Sequence, residues 1–213
     1  MTKITVSANL FCRAALCQST EETRYRLKGV HVEPCAAGGA LLVATDNHKL
    51  IALRDKDAAI DGKPAGDDKG WIVSADKDAL KAMKSPKPYG GVRLVQIDGD
   101  QLRVIHREGT RPDVTVYSQA ASCLVDGTYP DWRRVVPRDV VKTPSPGSFD
   151  NRVLATLAEA LSDGGKNRPL TLFGVDDASP ALAYGGATLD GFGIAMPLRS
   201  DYRTEPELPA WIT

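Results

Sequence analysis

A pattern that recurs three times along the chain restricts its fold: a short strand, an amphipathic helix, then a run of strands, at a period of about 50–70 residues. The first unit opens with a strand over 4–7 and a helix over 8–20. There Leu10, Ala14 and Cys17 recur at helical spacing beside Phe11 and Ala15. Strands are predicted over 25–33, 40–45 and 49–54, with turns at Ala36-Ala37-Gly38-Gly39 and Asp46-Asn47. A polar loop over 59–70 leads to the second unit. It has a strand over 71–73, Ser74 as N-cap of a helix over 75–84, and Pro86 and Pro88 as its stop. Strands over 92–97, 101–106, 113–118 and 121–125 follow, the first two joined by a hairpin turn at Asp98-Gly99. In the third unit Phe149 leads into a helix over 150–161 that puts Val153, Leu154, Leu157 and Leu161 on one face. Gly164-Gly165 ends it, and strands are expected over 169–175, 181–185 and 192–197.

Each unit carries one apolar helix face and too little sheet to bury it alone. Two units side by side make one α+β domain, with helices packed on antiparallel sheets. The expected organisation is a complete domain over 1–137, built from half-units 1–58 and 70–137. A Pro-containing linker over 138–147, a half-domain over 148–199 and an extended tail over 200–213 follow. The third unit is thus left with a sheet edge and an apolar face to cover.

Composition narrows the function. Apolar residues at 42% and charged residues at 25% fit a globular chain rather than a disordered or fibrous one. With 27 basic and 27 acidic side chains, the zero net charge argues against coating nucleic acid through bulk positive charge, though it leaves room for a local basic face. No apolar signal region follows Met1, and no apolar run approaches the ~20 residues of a membrane helix, so a cytoplasmic location with no membrane partner is expected. The four cysteines form no CxxC pair, and Cys12 and Cys17 are expected as a reduced, packed pair on the first helix.

Catalytic patterns are missing from the sequence. It has no glycine-rich phosphate cradle, no HExxH and no GxSxG. His31, His48 and His106 lie far from one another and from the spacing of metal ligands, and the pairs Asp67-Asp68 and Asp176-Asp177 sit in turn-like stretches. A non-enzymatic protein without metal or cofactor is the expectation.

Four stretches go beyond composition. Thr23-Arg24-Tyr25-Arg26-Leu27-Lys28-Gly29-Val30 precedes Leu42-Val43-Ala44-Thr45-Asp46-Asn47-His48-Lys49-Leu50; then come Asp126-Gly127-Thr128-Tyr129-Pro130-Asp131-Trp132-Arg133-Arg134-Val135-Val136-Pro137 and Ile194-Ala195-Met196-Pro197-Leu198-Arg199. In the same order they resemble RYxLNG, VATDGHRL, DGxFPDYRRVLP and VMPMR of the bacterial DNA polymerase III beta sliding clamp family. The resemblance implies the DNA-clamp fold, with residues 1–137 similar to the middle domain and 148–199 to the second half of the last. Family protomers of three domains dimerise into a ring around duplex DNA and serve replication as processivity factors. A groove between their middle and last domains captures short apolar peptide motifs of polymerases, clamp loader and repair proteins.

Carried onto this chain, the groove comprises Leu27, Thr45, His48, Lys49, Leu50, Pro130, Arg134, Val135, Ile194, Met196, Pro197 and Arg199. Asn47 replaces a family glycine and Lys49 a family arginine. Apolar members would line a concavity while Thr45, His48 and the basic side chains orient the peptide. The family's basic ring lining corresponds here to Arg13, Lys77, Lys81 and Lys84, the three lysines falling at i, i+4 and i+7 on one helix face. The third helix is poorer, with Arg152 against Asp150, Glu159 and Asp163 unless Lys166 and Arg168 contribute. Two functions follow from the resemblance. One is a ring-forming clamp on duplex DNA, a homo-oligomer joined through the orphan half-domain; the other is a non-encircling adaptor or competitor for clamp-binding peptides. Trp211 and Ile212 would let the tail fold back on the groove or the open edge.

Overall fold

Val30 and Val32, Leu42 and Ala44, Ile51 and Leu53 alternate along three successive strands and turn one sheet face toward the helices. They belong to a computed structural model that describes residues 2–64, 69–84, 91–137, 147–162, 169–185 and 190–199. The first unit comprises β1 (Lys3–Ser7), α1 (Ala8–Ala15), β2 (Val30–Pro34), β3 (Ala40–Thr45), β4 (Lys49–Asp55) and β5 (Ala59–Asp61). The second comprises β6 (Trp71–Val73), α2 (Lys77–Lys84), β7 (Val92–Asp98), β8 (Gln101–Arg107), β9 (Val114–Ser118) and β10 (Leu124–Val125). The third has α3 (Asn151–Ala160), β11 (Thr171–Phe173), β12 (Ala181–Tyr184) and β13 (Gly191–Ala195).

Two antiparallel sheets result, in the orders β5-β1-β7-β8-β9 and β10-β6-β2-β3-β4-β13-β12-β11. The first two units interlock by exchanging their leading strands, since β1 pairs with β7 and β6 with β2. The α+β architecture expected from the sequence, helices packed on antiparallel sheets, is therefore present. Helix α1 touches both α2 and α3, so the three helices form one layer over the sheets, and the main core lies between the two layers.

The third unit does not stand apart. Its β13 runs antiparallel to β4, from Gly191 opposite Leu53 to Ala195 opposite Lys49. Two glycines permit the approach. A Cβ on Gly191 would lie 2.6 Å from the Ala52 carbonyl oxygen, and one on Gly193 would lie 2.8 Å from a Leu157 methyl of α3. One edge of the half-domain is thus covered within the chain, and among the described residues the three-residue β11 is its open edge.

Several local expectations are corrected. Residues Glu22–Leu27 form a 3-10 turn rather than the start of a strand: only Leu27 is buried there, and its carbonyl accepts from Ser19 N–H at 2.8 Å. Helix α1 ends at Ala15, so Cys17 lies beyond it, and both cysteines are buried without being a pair on one helix. Ser74 does not cap α2. Its backbone N–H is committed to Cys123, and Asp76 caps instead, accepting from Ala79 N–H at 2.7 Å. The loop expected over 59–70 supplies an edge strand, β5, paired with β1. Asp67-Asp68, Pro86, Pro88, the linker over 138–146, Gly164-Gly165, Lys166, Arg168 and the tail over 200–213 lie outside the described residues. Among the described residues no helix is long and apolar enough to cross a membrane.

Candidate functional site

On the outer face of the larger sheet, Leu27, Val43, Leu50, Ala52, Ile72, Leu182 and Ile194 form a second apolar cluster. It is roofed by Tyr129 and Trp132, which come from the segment entering a 3-10 turn at Trp132–Val135. Strand β2 holds this segment down. The His31 ring stacks on Tyr129 at 4.6 Å and 7°, and the Arg133 guanidinium lies 4.3 Å from the Trp132 ring while pairing with Glu33. Glu33 is only 3% exposed. Burial alone would raise its pKa, but hydrogen bonds from His31 and Arg133 outweigh that and bring it down to about 2. An ionised Glu33 accepts only, which assigns the proton on His31 to Nε2, 3.2 Å away.

The sign of that shift gives a prediction. A carboxyl held below its ordinary 4.5 stabilises the fold above that pH, and the contribution is lost as pH falls toward about 2. Roughly 3 kcal/mol is at stake. Melting curves between pH 5 and pH 2 should therefore separate the parent from Glu33→Gln at the upper end and converge at the lower. A difference that does not shrink on acidification would contradict it.

A cavity of about 240 Å³ opens where the β3–β4 turn, the Pro130–Val135 segment and β13 meet. Its floor is Leu50 and Ile194, opposite one another in the β4–β13 ladder and 3% and 1% exposed. Pro130, Val135 and Met196 form apolar walls, and Thr45 and Lys49 stand at the turn. The turn is tightly tied. Thr45 Oγ1 donates to the Lys49 carbonyl at 2.7 Å, and Asp46 Oδ1 accepts from the N–H groups of His48 and Lys49 at 2.9 and 3.0 Å. Lys49 Nζ pairs with Asp46, and Met196 N–H donates to the His48 carbonyl at 2.9 Å, which anchors the end of β13. Asn47 has φ +75°, a left-handed position that glycine takes freely and asparagine tolerates. That explains how it stands where the clamp motif has glycine. Asn47→Val should therefore destabilise by about 1–2 kcal/mol in thermal melts while Asn47→Gly does not.

Seven of the twelve expected groove residues line this cavity: Thr45, Lys49, Leu50, Pro130, Val135, Ile194 and Met196. Leu27 lies in the supporting cluster instead, and His48 contributes its backbone while its side chain is exposed. Arg134 is exposed and paired with Asp131 at 3.3 Å; Pro197 is half-buried and Arg199 exposed, and none of the three lines the cavity. Asn47, Asp131 and Trp132 line it without having been expected. Trp132 was visible as a large aromatic inside the 126–137 motif. Whether it faces the sheet or solvent depends on the 3-10 turn, which local periodicity does not reveal.

The basic set is divided. Lys77, Lys81 and Lys84 are exposed on α2. Arg13 bridges helices, its Nε donating to Asn9 at 3.0 Å and its Nη1 to the Ala160 carbonyl at 3.4 Å, and it shares a cavity of about 190 Å³ with Lys84 and Glu159. Among the described residues no group of three or more His, Cys, Asp or Glu is placed to hold a metal ion.

A groove with an apolar floor and walls, and with polar atoms confined to one turn, suits an extended segment carrying one or two apolar side chains. No family model matches the chain. It is 31% identical over 150 residues to the beta sliding clamp of Caulobacter vibrioides, an alignment covering 68% of this chain and 35% of that protein. The chain thus spans about a third of that relative's length. The DNA polymerase sliding clamp of Bacillus subtilis superposes with TM-score 0.59 at 15% identity, over 93% of this chain and 64% of that one. A sliding clamp of Bartonella birtlesii, solved bound to griselimycin, superposes with TM-score 0.57 at 18% identity, over 92% and 66%.

Proposed function

Since the chain belongs with the bacterial beta sliding clamps and spans about two thirds of their solved structures, we propose that it acts as a clamp-like accessory of DNA replication. Its cavity captures short apolar peptide motifs of a polymerase or clamp loader. What supports this reading is the docking of β13 on β4, which puts Ile194 and Met196 beside Leu50, Pro130 and Val135 from distant parts of the chain. The role is non-enzymatic: binding, not chemistry. The peptide lies extended, one apolar side chain seated between Val135 and Met196 and its backbone against the Thr45–Lys49 turn. A fluorescent peptide with two adjacent bulky apolar residues should bind saturably in an anisotropy titration. Val135→Asp puts a charge on an exposed wall without touching the core, and should weaken binding at least about tenfold. Equal affinity for parent and variant would refute the assignment.

The same kinship carries a second proposal, that copies of the chain encircle duplex DNA with Lys77, Lys81, Lys84 and Arg13 toward the phosphates. Retention on nicked circular DNA, lost when the circle is cut, is the expected result. Loss of protein from circles and linear DNA alike would favour an adaptor that holds partner peptides without holding DNA. The acidic residues of α3, Asp150 at its cap and Glu159 within it, favour that adaptor reading.

A further inference from the structure

A second cavity, of about 220 Å³, shares Pro130, Asp131 and Trp132 with the groove, so these residues wall both. On its other side stand His31 and Glu33 of β2. The groove is apolar, but this cavity has unpaired polar atoms in its lining side chains. His31 and Trp132 are 5% and 8% exposed, and neither His31 Nδ1 nor Trp132 Nε1 has a hydrogen-bond partner among the described residues. Buried polar atoms are nearly always paired, and two of them around one cavity point to a ligand.

The chemistry of both atoms is set. With the His31 proton on Nε2, toward Glu33, Nδ1 can only accept, and an indole nitrogen can only donate. Both rings are also held in place. His31 stacks on Tyr129, and Arg133 lies over the Trp132 ring while pairing with Glu33. Charge does not select an ion here, because Glu33 is balanced by Arg133 and Asp131 by Arg134. The complement of one acceptor and one donor is a neutral group with an N–H and a C=O, which is an amide. We propose that this cavity is a polar subsite for the main-chain amides of a partner segment that runs on from the groove past Trp132. A main-chain N–H donates to His31 Nδ1, and a main-chain carbonyl accepts from Trp132 Nε1. The source of the amide rests on the groove reading; the site does not. An extended chain advances about 3.3 Å per residue, so a few residues beyond the groove cross the shared wall.

Nuclear magnetic resonance of the nitrogen-15-labelled full chain reads this at one atom. The chain has three tryptophans, and the indole signal of Trp132 is identified by its loss in Trp132→Phe. Acetamide should shift that signal saturably. Acetone has the same shape and a carbonyl but no N–H, so it leaves His31 Nδ1 unpaired and should bind at least about tenfold more weakly. Val135 lines the groove and not this cavity, so acetamide should bind Val135→Asp as it binds the parent. A failed groove assignment therefore leaves the acetamide result readable. A peptide with two adjacent bulky apolar residues and three glycines on each side should compete with acetamide, while the same peptide without glycines should not. No saturable response to acetamide, or an equal response to acetone, overturns the site. A flanked peptide that binds by anisotropy yet does not compete overturns the partner segment as its ligand.

Discussion

Gly191→Val is expected to abolish peptide binding while leaving the first two units folded. The substitution places a Cβ 2.6 Å from the Ala52 carbonyl oxygen and 2.5 Å from a Leu53 methyl. The methyl can rotate away; the carbonyl belongs to β4, a strand held by β3 on its other side, and cannot. Gly191 has no positive φ, so the effect is one of space and not of backbone conformation. Valine is itself a good strand former, which means that propensity works against the loss rather than for it. Overpacking of this kind costs about 1–3 kcal/mol, and it falls on the junction that seats β13. With β13 displaced, Ile194 leaves Leu50 and Met196 N–H leaves the His48 carbonyl. The cavity then loses half its floor and one wall. Titration with the fluorescent peptide, alongside limited proteolysis, should show lost affinity together with faster cleavage within 147–199. Parent-like affinity in Gly191→Val would mean that the groove does not depend on β13.

Trp132→Ala should be the most damaging single change on the groove itself. The side chain is 8% exposed, tilted against Phe192 at 6.5 Å, and carries the Arg133 guanidinium on its face. Large aromatic truncations cost about 3–5 kcal/mol in full cores; at this roof over the smaller cluster about 3 kcal/mol is the expected loss, with peptide affinity falling more than about tenfold. Trp132→Phe separates packing from polarity. The indole Nε1–H is buried and has no hydrogen-bond partner among the described residues, and phenylalanine has no donor to leave unsatisfied. The Phe variant should therefore melt close to the parent and still bind. If it instead behaved like the alanine variant, an interaction of Nε1–H in the bound state would have to be invoked.

The strands β3, β4, β7 and β8 were legible because each is a short apolar-rich run, continuous in β3 and β4, bounded by turn residues such as Asp46-Asn47 and Asp98-Gly99. Residues 22–27 misled because a 3-10 turn with one buried leucine mimics the first beats of a strand. The cap of α2 was misplaced by two residues because Ser74 and Asp76 are both good caps, and the choice is made by Cys123 and Gln119 from a distant loop. The exchange of β1 and β6 between units, and the seating of β13 on β4, leave no trace in local periodicity; they are written in the two glycines and in long-range burial. The site followed the same rule. Leu50 and Ile194, opposite one another in a strand ladder, line the cavity, whereas the exposed ends Arg134 and Arg199 do not reach it.

The joining of β4 to β13 also sets a time order. Chains are synthesised from the N-terminus and their domains tend to fold as they emerge. Pairings between distant segments form late, because a long loop must close first. Strands β1 to β10 make a self-contained interlocked body, but Leu50 faces an open edge until residue 196 has left the ribosome. For all that interval a nascent chain carries Leu50 and Ile51 on a strand paired with β3 but open along its other edge. Whatever protects that edge during synthesis competes for the surface that later holds the partner, and the binding site comes into being only when the edge is closed.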